Sequence, residues 1–140
     1  MVERLFLAVL IVGGAVTIWH LYNRRTIRRL GDQLITAPPD DPLLSGLPTL
    51  SANTPTILYF TTPYCAPCRT QQAPTLTQLQ AEKGDALQVI HIDCEQQPEV
   101  ADRWGVFSTP TTFVLNRDHQ PVAVNRGLAS AGTLKTQLAG

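Results

Sequence analysis

Three regimes of hydrophobic and polar patterning succeed one another along the 140-residue chain. The first is an apolar run at positions 5–23, LFLAVLIVGGAVTIWHLYN, with no Asp, Glu, Lys or Arg. At about 1.5 Å per helical residue it approaches the ~30 Å hydrocarbon thickness of a bilayer. Trp19 and Tyr22 fall near its end, where interfacial aromatics concentrate, and Gly13-Gly14 is compatible with a membrane helix. After Val16 the chain reads TIWHLYNRR, without the small-residue exit of a cleaved signal peptide. The run therefore reads as an uncleaved anchor; a signal peptide and a soluble core helix are the alternatives. Arg24, Arg25, Arg28 and Arg29 come directly after it, whereas only Arg4, the terminal amine and the offsetting Glu3 precede it. Basic flanks stay in the cytoplasm, which predicts an outside N-terminus and a cytoplasmic C-terminal part.

The second regime is polar and irregular. A basic stretch is expected to continue the helix to about Leu34. TAPPDDPLLSGLP comes next, where Pro38, Pro39, Pro42 and Pro48 oppose regular structure. Residues 37–51 read as a linker, with Leu43, Leu44, Leu47 and Leu50 available to pack on the folded domain. The expected organisation is an anchor over 1–23, a basic juxtamembrane stretch and Pro-rich linker over 24–51, and a folded domain over 52–140.

The third regime has the short periods of a small α/β domain. Thr56–Thr61 (TILYFT) has the composition of a buried strand. A helix is predicted from about Cys65 to Glu82, with Ala73, Leu76 and Leu79 on one face. Pro74 lies inside it and should bend it or mark a restart. Ala86–Ile92 is a second strand. Pro98–Trp104 is a short helix, with Pro98 suited to its first turn and Gly105 to its end. Thr111–Leu115 and Pro121–Asn125 are strands around the turn Asn116–Gln120, and Ser130–Leu138 is a closing helix. Strands joined through a helix pair in parallel with a right-handed crossover; strands joined by a short turn form an antiparallel hairpin.

Charge removes one class of partner: eleven basic and eleven acidic residues balance, and no basic patch marks a nucleic-acid site. The cysteines add chemistry. Cys65 and Cys68, in Cys65-Ala66-Pro67-Cys68, are three residues apart where the first domain helix starts, so their sulfurs share a face. The N-terminus of a helix carries partial positive charge and unpaired N–H groups. Both stabilise a thiolate, the form that attacks disulfides. Thiol pKa values in such motifs fall to about 3.5–7.5 from a free value near 8.5. Cys65 is the expected nucleophile and Cys68, one turn deeper, the resolving thiol; the pair needs no cofactor. Arg69 adds a little positive potential or is simply solvated.

Zinc is the competing reading of Cys-x-x-Cys, but a structural site takes four ligands. Only Cys94, His91, His119 and His20 remain as further candidates, and no metal is expected. Cys94 closes the second strand, on the side where parallel sheets bind ligands. It is a candidate third redox thiol or a half-buried structural cysteine. Asp93 is expected to cap the turn after that strand, and His91 to face a neighbouring element.

The order β-α-β-α-β-β-α with Cys-x-x-Cys opening its first helix resembles the thioredoxin family over about residues 54–140. Cys65-Ala66-Pro67-Cys68 is close to the family's CGPC. Val89–Asp93 (VIHID) is similar to its second core strand, and Pro98–Val106 (PEVADRWGV) to its next helix and turn. Thr109-Pro110-Thr111 is similar to its cis-proline loop, and Gly127 to a glycine before its last helix. The resemblance implies a thioredoxin-like α/β three-layer sandwich, a mixed four-stranded sheet with flanking helices, after an N-terminal transmembrane helix. It implies a cis Pro110, an isomer open to X-Pro bonds, with Thr109 offering its backbone to an extended substrate as an added strand would. An ordinary trans proline is the alternative. Tyr64 and Pro67 complete the implied substrate-binding set. The family's buried aspartate, six residues before the first cysteine, is Tyr59 here. A tyrosine ionises near pH 10 and cannot serve as a carboxylate base. The family's two tryptophans before the motif are Thr61 and Tyr64.

These features together describe a membrane-tethered thiol–disulfide oxidoreductase. Its expected partners are protein disulfide substrates, a thiol electron donor, and the membrane through residues 5–23. A cytoplasmic position favours reduction of substrates, and Pro67 leans the same way by the resemblance. One alternative is extracytoplasmic exchange or cytochrome c maturation, although the compact Lys83–Asp85 connection leaves no space for the insertion typical of the maturation relatives. The other is a non-enzymatic module that binds peptides at Thr109-Pro110.

Overall fold

Side-chain alternation along four strands divides the core of the domain into two layers. The computed structural model describes residues 2–36 and 47–140, apart from the side chains at 5 and 30–36. Helix α1 (Val2–Thr36) is followed by strand β1 (Thr56–Thr61), helix α2 (Ala73–Lys83), strand β2 (Gln88–Asp93) and helix α3 (Pro98–Arg103). Strands β3 (Thr111–Leu115) and β4 (Pro121–Arg126) and helix α4 (Ala131–Ala139) complete the chain. The sheet order is β2-β1-β3-β4. β1 pairs parallel to β2 and antiparallel to β3, and β3 pairs antiparallel to β4. This is the mixed sheet the connections predict.

Successive strand residues point to opposite faces. Leu58, Phe60, Ile90, Ile92, Phe113 and Leu115 join Val100 and Trp104 of the α3 region on one face. Ile57, Tyr59 and Val114 join Leu76 and Leu79 of α2 and Leu134 of α4 on the other. Three rings anchor the first layer: Trp104 and Phe113 stand 5.0 Å apart, and Phe60 lies 5.7 Å from Phe113. Such offset aromatic pairs add about 0.5–1.5 kcal/mol each beyond the area they bury.

Element ends differ from expectation for local reasons. β2 begins at Gln88 because a 3-10 turn, Gly84–Ala86, takes up the connection. Trp104 caps α3, and Gly105 follows at φ +65°, a left-handed conformation open to glycine. Ser130 stands outside α4 as its N-cap, accepting from the Thr133 N–H at 3.2 Å. β4 runs on to Arg126.

The helix after Cys65 is continuous but not uniform. Residues 66–67 are helical, Cys68–Gln72 widen into a π turn, and α2 follows without a break. Pro74 has no N–H, and its ring crowds the carbonyl four residues back. The wide turn resolves this by letting the Ala73 N–H donate to the Cys68 carbonyl.

The basic stretch belongs to α1, which reaches Thr36 rather than Leu34. Its N-terminal part, where described, is exposed. Asn23, Thr26 and Ile27 are half-buried, and Ile27 packs on the Trp104 layer. Leu47 and Leu50 pack on the same layer. Positions 37–46 of the expected linker, with Leu43 and Leu44, lie outside the described residues.

Candidate active site

β1 ends at Thr61 and a turn brings the chain to Cys65, whose N–H donates to the Thr62 carbonyl at 3.2 Å. Cys65 and Cys68 are joined in a disulfide, with Cα atoms 5.2 Å apart. Cys68 is fully buried and Cys65 nearly so. The Cys68 N–H donates to the Cys65 sulfur at 3.2 Å. A backbone donor of the helix's first turn is therefore aimed at the atom that would carry negative charge after reduction. Arg69, exposed, follows directly.

Tyr59 lies beneath the pair, in the same buried layer as both cysteines. Its hydroxyl donates to the Cys68 carbonyl at 3.1 Å. That carbonyl, which also receives the Ala73 N–H, is thus doubly satisfied by the π turn and the tyrosine. Burial pushes the Tyr59 phenol further up, and a hydrogen bond with Thr61 offsets part of this. The ring of His91 meets Tyr59 edge-on with centroids 5.1 Å apart, the neighbour expected of it. Desolvation there lowers its pKa. Tyr59, Cys68, Arg69, His91 and Asp93 share a cavity of about 260 Å³.

The Thr109-Pro110 bond is cis. Pro110 is buried and Thr109 half-buried. The Pro110 carbonyl accepts from the Gly127 N–H at 2.8 Å, and the next residue, Thr111, pairs with Phe60. The loop therefore sits at the end of the sheet where β1 runs out towards Cys65. Tyr64 and Pro67 are exposed at this end. So is Phe107, an aromatic that the apolar pattern alone does not separate from core residues.

Cys94 is placed apart. It packs on the first core layer, whereas Cys65 and Cys68 belong to the second. Its thiol pKa is raised by burial first and by the charge of Asp93 second. Asp93 caps the turn as expected, accepting from the Glu95 N–H at 2.9 Å. His119 bonds the Ser51 carbonyl at 3.0 Å and belongs to the β3–β4 turn, at the opposite end of the sheet.

One supporting residue was not legible in the pattern. Gln72 is buried, and its side-chain amide bonds both backbone groups of Ala129, at 2.8 and 3.2 Å. It ties the π turn to the loop before α4. Its polar character suited an exposed helix face, and only the tertiary partner reveals it.

The model of the family described as Thioredoxin matches residues 48–139. The thioredoxin of Bacillus subtilis is 40% identical over 68 residues, 49% of this chain and 64% of that one. A thioredoxin-like protein of Synechocystis is 33% identical over 84 residues, 60% of this chain and 78% of that one. The Listeria monocytogenes thioredoxin is matched over 48% of its length, so the chain spans about half to two thirds of several such relatives. Among solved structures, thioredoxin-2, titled a component of the malaria parasite protein secretion machinery, superposes with a TM-score of 0.55 at 25% identity. That match covers 59% of this chain and 79% of the other. With the sheet order, the bonded Cys-x-x-Cys at a helix start and the cis-proline loop already in place, the match over residues 48–139 makes this chain a member of the thioredoxin family.

Proposed function

We propose that the chain is a membrane-tethered thiol–disulfide oxidoreductase that reduces protein disulfides. The observation that carries this reading is the Cys68 N–H aimed at the Cys65 sulfur from 3.2 Å. In the reduced protein the Cys65 thiolate attacks one sulfur of a substrate disulfide, and the other substrate sulfur leaves as a thiolate. Cys68 then loses its proton and attacks Cys65. This releases the second substrate thiol and closes the Cys65–Cys68 bond, so two electrons pass to the substrate. A thiol donor restores the dithiol.

The proton of Cys68 needs another acceptor than the residue beneath it, since Tyr59 is a phenol with a raised pKa. Water entering the shared cavity is the acceptor in this reading. Thr109 and Pro110, with Tyr64 and Pro67, form the substrate rim. Cys94 takes no part, because it lies on the other face of the sheet and holds its proton.

The tether is α1, the described helix long and apolar enough to cross a membrane. The arginines at 24, 25, 28 and 29 favour a cytoplasmic domain, where substrate reduction prevails. Labelling Cys65 of the reduced protein with an impermeant thiol reagent, before and after cell lysis, tests the side. Labelling before lysis would put the domain outside and make oxidation or maturation chemistry the better account.

The activity itself is tested with the full chain in detergent micelles, by reduction of insulin with a dithiol donor. C65S is expected to fall to the uncatalysed rate and C68S to accumulate the mixed disulfide. A C65S protein as active as the parent refutes the assignment and leaves the peptide-binding module.

A further inference from the structure

We propose that the sheet end carrying Cys65 and Cys68 faces the bilayer surface, so that the substrates are disulfides of membrane proteins held close to the lipid headgroups. The proposal deepens the function above and rests on it, and on α1 as the span.

Chain connectivity sets this orientation. The described side chains of α1 before Asn23 are exposed, and the helix first meets the domain at the end of its apolar run. There Tyr22, Arg25 and Arg29 share a cavity of about 430 Å³ with Arg103, Trp104 and Gly105. Gly105 is fixed in place: its carbonyl accepts from Arg126 at 3.1 Å, Arg126 pairs with Thr111, and Thr111 pairs with Phe60. That is the end where β1 leads into Cys65. The chain re-enters the sheet at the other end, where Thr49 and Ser51 bond Gln88 at the start of β2. The apolar part of α1 therefore projects from the active-site end and not from the far one.

The distances suit a headgroup layer. A bilayer adds about 5–7 Å of headgroups on each side of its hydrocarbon core. At about 1.5 Å per residue, Arg25 stands about 4–5 Å beyond Tyr22 and Arg29 about 10 Å. Lipid phosphates thus fall level with Arg25, with Arg29 just beyond the headgroups, and both share their cavity with Arg103. Two rings flank the active site on the same end, Tyr64 at 82% and Phe107 at 84% exposure. Tyrosine is enriched at membrane–water interfaces, and an exposed phenylalanine adds apolar area of the kind that interfacial surfaces bury. The orientation holds on either side of the membrane.

The test uses the full chain in vesicles of phosphatidylcholine and phosphatidylglycerol, first floated to establish insertion. Phe107→benzoylphenylalanine and Asp118→benzoylphenylalanine, at opposite ends of the sheet, are then photolysed. Lipid adducts at least five-fold more abundant at 107 are expected; equal or reversed yields overturn the orientation. In the same vesicles, a single-span reporter carries a disulfide next to the membrane or beyond a rigid 30-residue helical spacer, about 45 Å long. The near disulfide is expected to be reduced at least ten-fold faster, and equal rates overturn the substrate class. Failure to float refutes the span and the proposal with it. Insulin reduction in detergent reads the oxidoreductase assignment separately, because it depends on neither insertion nor orientation.

Discussion

The Cys65 sulfur accepts a backbone N–H at 3.2 Å and lies nearly buried at the opening of a helix, while its partner is sealed in the core. This asymmetry arises from neighbours in sequence, which is why the pair and its order were legible in four residues. Tyr59 was legible as a departure but not in its use, since its acceptor is a carbonyl turned by the π turn. Tyr59→Phe removes that donor while leaving Ala73 on the carbonyl. It is expected to cost about 0.5–1.5 kcal/mol in urea denaturation and to leave exchange activity in place. His91 gives a pH dependence of stability. Its folded pKa is lowered from 6.5 by desolvation, so the unfolded chain binds the proton more readily. Stability is therefore constant above about pH 7 and falls as the pH drops through 6.5 and the folded value. Tyr59, Arg69 and Asp93 face the same cavity. The Tm measured between about pH 5 and 8 should show this slope, kept shallow by the solvent exposure of the His91 ring, and His91→Asn should remove most of it.

At the scale of elements, periodicity announced each strand and helix of the domain, because alternation and a three-to-four repeat survive any tertiary context. Their irregularities were not announced. Pro74 signalled a disturbance, yet a bend, a restart and a π turn all accommodate a missing N–H. The choice depends on which carbonyl finds a donor, here Cys68 with Ala73 and Tyr59. Gln72 shows the same limit, being polar by composition and buried by its pairing with Ala129. Gln72→Ala strands a backbone N–H and a carbonyl in the core. It should lower stability by about 2–3 kcal/mol in denaturant unfolding, more than Ser130→Ala at the exposed N-cap, about 1 kcal/mol.

For the whole molecule, the parallel pair and the terminal hairpin followed from connection lengths and the layers from the family resemblance, whereas the sheet order and the seat of α1 came only from the structure. The docking stripe Asn23-Thr26-Ile27 holds one apolar residue among arginines, a pattern indistinguishable from a solvated helix until Trp104 and Gly105 are seen beside it. α1 and α3 together cover one face of the sheet, and α2 and α4 the other. The seat thus joins α1 to the domain at the end of the sheet that carries Cys65 and Cys68. Ile27→Asp should loosen it. Faster amide hydrogen exchange in residues 98–106 of the full chain is the expected sign, with α2 and α4 unchanged. Unchanged protection of residues 98–106 would mean that α1 contributes nothing to that face.

The central claim is that the fold makes one sulfur a ready thiolate. The direct measurement is the alkylation rate of each cysteine against pH, read by mass spectrometry on the reduced full chain. Cys65 should titrate below about pH 7.5 and react fastest near neutrality, with Cys94, whose thiol is pushed up by burial and Asp93, far slower. A Cys65 profile rising only near pH 8.5, or one slower than that of Cys94, would contradict the account.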